Sequence, residues 1–270
     1  MNGEIEALLS YVSDKVADPA IYNYRPDPGA PDRSPEQINY RMAMTDVRSY
    51  GEVLSLDRQG VQVARLSSCV SDYYDDDQIR NNYYPEIEKL VMDATGARHV
   101  VAFDYNVRCQ NYAEQKKYKA QRPVRFVHND YTHHSGPQRV RDLMGDTAEA
   151  LLKKRFAVIN AWKPIVGPVR KSPLAVCDAT TMAEQDFVKT ALLYRDRQGE
   201  IYTVRHRQQH RWFYVSGMGA DEVMLLKCYD SALDGRARYT AHTAFEDPRS
   251  PADAPDRESI EVRTLVFFDR

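Results

Sequence analysis

The sequence predicts an α+β fold in which a mainly helical N-terminal part precedes a β-rich core of about 140 residues, a usual size for one domain. The first observation is a change at Val124, after which short apolar runs alternate with clusters of Gly, Pro, Asp and Ser. Many short strands separated by turn signals are typical of a sandwich, a barrel or a jelly roll. The runs are 124–128, 155–162, 174–177, 187–194, 200–205, 211–216, 222–229, 237–242 and 260–268.

The second observation is helical spacing before that point. Residues 84–95 carry apolar side chains at i, i+3 and i+4, and Gly96 follows as a stop signal. We also predict a short amphipathic helix over 4–17. A further helical zone is predicted over 137–153, split at Gly145.

Local sequence assigns the remaining segments. Residues 21–40 are rich in proline and polar side chains, which predicts an extended arm. Residues 99–103 predict a buried strand, and 187–195 with 200–207 predict a hairpin. We expect a single domain over 1–270 with three parts: an N-terminal helix and Pro-rich arm (1–40), a helical and strand flank (41–123) and the β core (124–270).

Composition excludes several classes of protein. The chain has 270 residues, 43% of them hydrophobic, which is enough to bury a sizeable core. A net charge of −2 gives no basic excess of the kind that marks a nucleic-acid-binding surface. No apolar run is long enough to cross a bilayer, and acidic residues near the start argue against a secretory signal. We therefore expect a cytoplasmic protein without nucleic-acid or membrane partners, and its oligomeric state stays open.

The segment that carries chemistry is VRFVHNDYT, residues 124–132. Because side chains alternate between the two faces of a strand, His128 and Asp130 are expected to project from the same face. An imidazole and a carboxylate are two of the three ligands of the facial triad that holds non-haem iron and leaves open positions on it. His-x-Asp alone is a weak signal, since so short a motif often occurs by chance. Its place at the end of an apolar run, where the β-rich half begins, strengthens it.

A third metal ligand requires a histidine on a later strand. His242 ends an apolar run and precedes the last predicted strand, so it is the preferred candidate. His206 and His210 lie in an arginine-rich hairpin, and we interpret them as surface residues. His133 and His134 follow the motif in a polar loop, which we interpret as the rim of the site.

Arg263 lies inside the otherwise apolar last strand. A buried arginine is costly unless a carboxylate pairs with it. A dicarboxylic cosubstrate would supply that partner, because a guanidinium binds a carboxylate through two hydrogen bonds. Glu261 shares the strand face of Arg263, so an ordinary Glu–Arg surface ladder is the alternative.

Six stretches make the sequence recognisable, and together they cover most of residues 40–268. They are YYPEIEKLVMDATGARHVVAFDYNVR (83–108), VRFVHNDYT (124–132), FAVINAWKPIVGPVRKSPLAVCDATTM (156–182), YVSGMGADEVMLLKCYDS (214–231), ARYTAHTAF (237–245) and SIEVRTLVFF (259–268). In this combination the chain resembles the Fe(II)/2-oxoglutarate-dependent hydroxylase/desaturase family. That family includes fungal gibberellin desaturase-like proteins and the bacterial cephamycin 7α-hydroxylation component.

The resemblance implies a distorted double-stranded β-helix (jelly-roll) core that uses Fe(II), 2-oxoglutarate as cosubstrate, and dioxygen. It also implies that His128, Asp130 and His242 hold the metal. Carried over in the same way, Arg263 matches the arginine that binds the cosubstrate.

One departure from the family pattern leaves that last assignment open. An insertion-like segment, EDPRSPADAPDR (246–257), lies between His242 and Arg263. Arg257 and Arg249 in this segment are therefore alternative partners of 2-oxoglutarate, although a Pro-rich loop would hold them poorly.

The family's NxW(K/R)P element appears here as NAWKP, residues 160–164. Asn160 and Trp162 share one strand face, and we expect them near the cosubstrate or the substrate. Strand packing is the alternative, since Trp often serves as a core residue.

The prediction that results is a 2-oxoglutarate-dependent non-haem iron dioxygenase of secondary metabolism. Its substrate would be a small natural product or an amino-acid derivative, altered at a C–H bond by hydroxylation, desaturation or cyclisation. A non-catalytic small-molecule binding module on the same β fold is the alternative. A methyltransferase is disfavoured, because the glycine-rich turn at 215–219 lacks the third glycine and the following helix.

Overall fold

The computed structural model describes residues 4–26, 32–111 and 120–269. Strands dominate these ranges: β1 (Glu4–Val12), β2 (Ala20–Tyr22), β3 (Gln37–Asp46), β4 (Val61–Arg65), β5 (His99–Cys109), β6 (His128–Asn129), β7 (Phe156–Pro164), β8 (Leu174–Cys177), β9 (Phe187–Leu193), β10 (Gln198–Val204), β11 (Trp212–Tyr214), β12 (Glu222–Asp230), β13 (His242–Ala244) and β14 (Glu258–Phe267). The α-helices are α1 (Asp76–Gln78), α2 (Tyr84–Thr95), α3 (Ser135–Met144) and α4 (Ala148–Leu151), and a π-helical turn joins α1 to α2.

The strands form two sheets. One has nine strands in the order β1-β3-β11-β8-β13-β6-β10-β9-β2, and the other has five in the order β4-β12-β7-β14-β5. Apolar side chains from both sheets share one core, to which Trp162 and Met224 contribute from the smaller sheet and Val176 and Phe213 from the larger one. This arrangement is consistent with the predicted jelly roll, and the candidate site lies between the sheets.

Helix α2 covers the outer face of the five-stranded sheet. Its buried Ile87 and Val91 pack with strand residues such as Ile159 and Val262. Gly96 ends the helix in the left-handed conformation, with φ of 67°, and its N–H donates to the carbonyl of Met92. The predicted helix over 84–95 is therefore confirmed, with the capping that a glycine after the last turn provides.

Several other local predictions are also confirmed. The helical zone over 137–153 is split as expected, because α3 ends at Met144 and a 3-10 turn at Gly145–Thr147 precedes α4. Strands β9 and β10 form the predicted antiparallel hairpin. The predicted strand over 99–103 is longer than expected and continues to Cys109.

The predicted helix over 4–17 is wrong. Strand β1 occupies Glu4–Val12 and pairs antiparallel with β3 along its whole length. Alternate residues Ala7, Leu9 and Tyr11 are buried while Leu8 is exposed, which is strand periodicity. Pairing with β3 satisfies the backbone and overrides the local helical spacing.

The predicted arm over 21–40 is wrong at its two ends. Its first residues belong to β2, which pairs with β9, and its last belong to β3. Residues 27–31 lie outside the described residues. The expectation that flanking helices are mainly N-terminal is not confirmed, because the described α-helices fall within 76–95 and 135–151. In the described part of the chain, no helix is both long enough and apolar enough to cross a membrane.

Candidate metal centre

Strand pairing brings together three residues that are distant in the sequence. His128 in β6 lies directly opposite His242 in β13, and β10 closes the other side of β6. Asp130 follows β6 by one residue and projects on the same side as His128, as period-two alternation predicts. One potential ligand atom from each of the three lies within 4.8 Å of the other two.

Both imidazoles turn the same nitrogen toward the carboxylate. His128 Nε2 lies 3.5 Å from Asp130 Oδ1, and His242 Nε2 lies 4.0 Å from the same oxygen. The Nδ1 atoms lie 2.9 Å from the carbonyl of Phe126 and 3.1 Å from that of Thr240, respectively. A carbonyl only accepts, so Nδ1 carries a proton in each ring, and Nε2 is the nitrogen left to bind a metal. This is the tautomer that a metal requires.

The electrostatics of the centre favour the protonation states that a metal needs. Burial, with a smaller effect from His242, lowers the pKa of His128 to about 3, so this imidazole is neutral. Burial raises the pKa of Asp130, but Arg263 and the two imidazoles outweigh that effect and hold it well below its usual value. Two imidazoles and one carboxylate are the donor set of a non-haem iron site.

Asn129 orients the motif from the opposite side of β6, a role that sequence reasoning missed. Its side-chain amide donates to the carbonyls of Tyr131 and Cys228, and its oxygen accepts from the N–H of Thr240. The side chain is fully buried. Asn129 thus ties the His-Asp segment to the stretch just before His242. The one sequence signal for this role of Asn129 is its place as a polar residue between His128 and Asp130.

Asn160 and Arg263, both predicted to lie near the cosubstrate, each donate to Asp130. The amide nitrogen of Asn160 donates to Asp130 Oδ2 at 2.8 Å, and Nε of Arg263 lies 3.2 Å from the same oxygen. The rest of the Arg263 guanidinium pairs with Asp104 at 2.8 Å and Glu261 at 3.3 Å. Burial lowers the pKa of Arg263, and these carboxylates reverse that effect, so the group is held as a cation.

Arg257, in contrast, lies beside the centre, and no carboxylate of the described residues is at hydrogen-bonding distance from it. It shares a small cavity of about 30 Å³ with the His-Asp-His cluster, Trp162 and Arg108. Arg257 is 4% exposed, and its guanidinium donates to the carbonyl of Ser172. Its Nε is buried with no hydrogen-bond partner among the described residues. Burial, followed by repulsion from Arg108, lowers the pKa of Arg257 to about 9. Trp162 lies against this guanidinium, with 5.4 Å between the ring centroid and the central carbon.

The other candidates from the sequence lie outside the cluster. Arg249 pairs with Asp247 and Tyr214 and lines a separate cavity. The interpretation of His210 as a surface residue is wrong, since it is 4% exposed and pairs with Asp186. His206 is half-buried and stacks on Tyr40.

A larger cavity, of about 400 Å³, opens on the other side of Asp130. Asp130 and Arg263 belong to its wall, together with residues of α3 and of the β9–β10 hairpin. His134 also lines it, whereas the ring of His133 bonds to Tyr202. The volume falls within the usual range for small-molecule sites.

Comparison with known proteins fits this geometry. The family model described as "Oxidoreductase/YMDC permease-like domain" matches residues 9–267. The hydroxylase/desaturase efuI of Hormonema carpetanum is 34% identical over 84% of this chain and 83% of that protein. The Fe(II)/2-oxoglutarate-dependent dioxygenase nvfI of Aspergillus novofumigatus is 33% identical over 99% of this chain and 97% of that protein. The chain belongs to the Fe(II)/2-oxoglutarate-dependent dioxygenase family.

Solved structures agree with this membership. The iron and alpha-ketoglutarate-dependent endoperoxidase NvfI superimposes with a TM-score of 0.89 at 29% identity, over 99% of each chain. A variant of that enzyme, in which one tryptophan is replaced by phenylalanine, gives a TM-score of 0.90. The family predicted from the sequence is therefore confirmed, as are the enzyme class and its use of Fe(II), 2-oxoglutarate and dioxygen.

Proposed function

We propose that this enzyme alters a C–H bond of a small natural product or amino-acid derivative, with His128, Asp130 and His242 as the iron ligands. The observation that carries the proposal is the convergence of two Nε2 atoms and one Oδ1 atom in a buried site. When bound, Fe(II), 2-oxoglutarate and dioxygen supply the oxidising power, and the oxo acid becomes succinate and carbon dioxide. The protein residues fix ligand orientation and exclude water.

We propose Arg257, rather than Arg263, as the residue that binds the distal carboxylate of 2-oxoglutarate. Arg257 has a buried Nε without a described partner, whereas Arg263 already pairs with three carboxylates. A buried cation with a depressed pKa gains most from an incoming anion. Arg108 adds a second positive charge to the same cavity wall. The cavity of about 30 Å³ must widen as 2-oxoglutarate enters, and long arginine side chains can accommodate that.

We propose that the substrate occupies the cavity of about 400 Å³ on the other side of Asp130. It is close to the centre and large enough for a small organic molecule. Charged side chains such as Arg139 and Arg197 line it beside apolar Leu192. A substrate with both polar and apolar parts matches such a wall. Hydroxylation, desaturation and cyclisation all require that these residues hold the substrate next to the metal centre. Product analysis must therefore distinguish the three reactions.

The test is an anaerobic titration of the metal-free protein with Fe(II) and 2-oxoglutarate, followed by visible absorption. A chelated 2-oxo acid on Fe(II) is expected to give a charge-transfer band, which His242→Ala should abolish while the fold is retained. Correctly folded wild-type protein that gives no band would contradict the oxygenase proposal and favour the non-catalytic binding module.

The remaining sequence predictions are carried forward with this proposal. We propose that residues 1–270 act as a single oxygenase domain, since β1 and β3 lie in the same sheet as β6 and β13. A cytoplasmic location and the lack of nucleic-acid and membrane partners stay predictions.

A further inference from the structure

The two oxygens of Asp130 have different surroundings. Oδ1 faces the Nε2 atoms of His128 and His242, at 3.5 and 4.0 Å. Oδ2 accepts hydrogen bonds from the amide of Asn160, at 2.8 Å, and from Nε of Arg263, at 3.2 Å. Two donors therefore occupy the oxygen that points away from the imidazoles.

The sheet itself holds these two donors in place. Asn160 in β7 and Arg263 in β14 are directly paired across neighbouring strands, so their side chains lie side by side. Asn160 is fully buried. The outer part of the Arg263 guanidinium is held by Asp104 and Glu261. Arg263 therefore cannot leave Oδ2 without disturbing these two other ion pairs.

We propose that Asn160 and Arg263 are positioning residues that fix Asp130 as a metal ligand through Oδ1 alone. The inference rests on the proposed function, since it assumes that Asp130 binds the metal. A carboxylate that bound through both oxygens would take an additional coordination position. Three protein donors leave three positions of an octahedral ion for the 2-oxo acid and dioxygen. Arg263 thus acts on the carboxylate ligand, not on the cosubstrate.

The experiment separates metal affinity from cosubstrate affinity in the purified full-length protein. Mn(II) is the probe, because its free ion is counted directly by electron paramagnetic resonance and it stands in for Fe(II) without oxidation. Mn(II) affinity is measured without cosubstrate for Asn160→Leu and Arg263→Met. The affinity for 2-oxoglutarate is then measured by calorimetry at saturating Mn(II). Arg249→Met, outside the site, is the matched control. Arg257→Met is included as a variant that should affect 2-oxoglutarate affinity and not Mn(II) affinity.

Asn160→Leu and Arg263→Met should weaken Mn(II) binding by roughly 10- to 100-fold, as loss of groups that orient metal ligands does. Their affinity for 2-oxoglutarate at saturating Mn(II) should stay near that of the wild type. Arg257→Met should show the reverse, and Arg249→Met should change neither. If either first variant fails to fold, Asn160→Ser or Arg263→Lys replaces it, with a smaller loss of Mn(II) affinity in the same direction.

Two results would overturn the inference. Unchanged Mn(II) affinity in folded variants at both positions would mean that these donors do not orient the ligand. Loss of 2-oxoglutarate binding in Arg263→Met with intact Mn(II) affinity would make Arg263 the cosubstrate arginine. A wild-type protein that binds no Mn(II) would instead overturn the proposed function, and the inference with it.

Discussion

Arg257 and Arg263 lie close together in the sequence, yet their side chains have opposite surroundings. Arg263 is surrounded by Asp130, Asp104 and Glu261. Arg257 is more deeply buried and keeps one nitrogen without a described partner. The sequence predicts Arg263 in a strand and Arg257 in a Pro-rich segment, but it does not tell which guanidinium already pairs with carboxylates. At the scale of the residue, a buried donor without a hydrogen-bond partner is therefore a better guide to a ligand site than sequence position is.

The first prediction concerns Arg257. Arg257→Met should raise the KM for 2-oxoglutarate by roughly 10- to 100-fold, because hydrogen bonds to a charged group contribute about 1.5–3 kcal/mol. Steady-state turnover with varied 2-oxoglutarate at saturating Fe(II) measures this. Arg249→Met is the control and should keep the wild-type KM. An Arg257→Met enzyme with an unchanged KM would return the role to Arg263 or Arg108.

His210 belongs to a buried polar chain on the other face of the larger sheet. Its Nε2 lies 3.2 Å from Asp186, and its Nδ1 lies 3.3 Å from the hydroxyl of Tyr11, which accepts from Trp212. Burial is the main cause that lowers the pKa of His210, with a smaller opposing effect from Asp186. The imidazole is therefore neutral in the folded protein, and the cluster has a structural role.

The second prediction follows from that lowered pKa. An unfolded histidine takes up a proton near pH 6.5, but folded His210 does so only at lower pH, so its contribution is present above 6.5 and is lost as pH falls. His210→Gln should thus reduce the slope of unfolding free energy against pH between 5.5 and 6.5, by at most about 1.4 kcal/mol per pH unit. Denaturant unfolding of the metal-free protein at several pH values measures this. The exposed His99→Gln is the control, and an equal effect there would contradict the assignment.

At the scale of elements, β1 shows how pairing overrides local spacing. Residues 4–17 contain apolar positions that fit a helix, but β3 offers a partner along all of Glu4–Val12. The strand also touches the segment before His128, since the carbonyl of Ser10 accepts from the N–H of Val127. The N-terminal strand thus packs against the segment that leads into the candidate metal-binding motif.

The third prediction distinguishes strand from helix in β1. Leu9 is 1% exposed and Leu8 is 58% exposed. Leu9→Ala should lower the free energy of unfolding by about 2–5 kcal/mol, the usual cost of truncating a buried leucine, whereas Leu8→Ala should change it by less than about 0.5 kcal/mol. Urea unfolding measures both variants. Equal losses in the two would contradict the strand register.

At the scale of the whole molecule, the site depends on long-range pairing. His128 and His242 become neighbours only because β6 and β13 lie side by side in the nine-stranded sheet, and Asn160 and Arg263 reach Asp130 from the five-stranded sheet. Both sheets therefore meet at one carboxylate. The unfolded chain holds no such arrangement, so metal binding is linked to folding.

The fourth prediction uses that linkage. A metal that binds only the folded state at 100 times its Kd adds about 2.7 kcal/mol of stability. Mn(II) should therefore raise the Tm of the wild-type protein by several degrees, and a chelator should reverse the shift. In His242→Ala the shift should be lost. Equal stabilisation of His242→Ala would place the metal elsewhere.

The sequence alone determined the features that depend on local periodicity. The same-face relation of His128 and Asp130, the helix over 84–95 with its glycine stop, and the β9–β10 hairpin all follow from spacing within a few residues. The family also followed from the sequence, because its matching stretches are specific in combination.

Only the tertiary structure decided the rest. It placed β1 in a sheet, buried His210 beside Asp186, and paired Arg263 with carboxylates. It also left Arg257 with a nitrogen that has no hydrogen-bond partner within the described ranges. Each outcome depends on which distant segment packs against the residue. Burial, charge pairing and strand register are properties of neighbours in space, and local spacing carries no information about them.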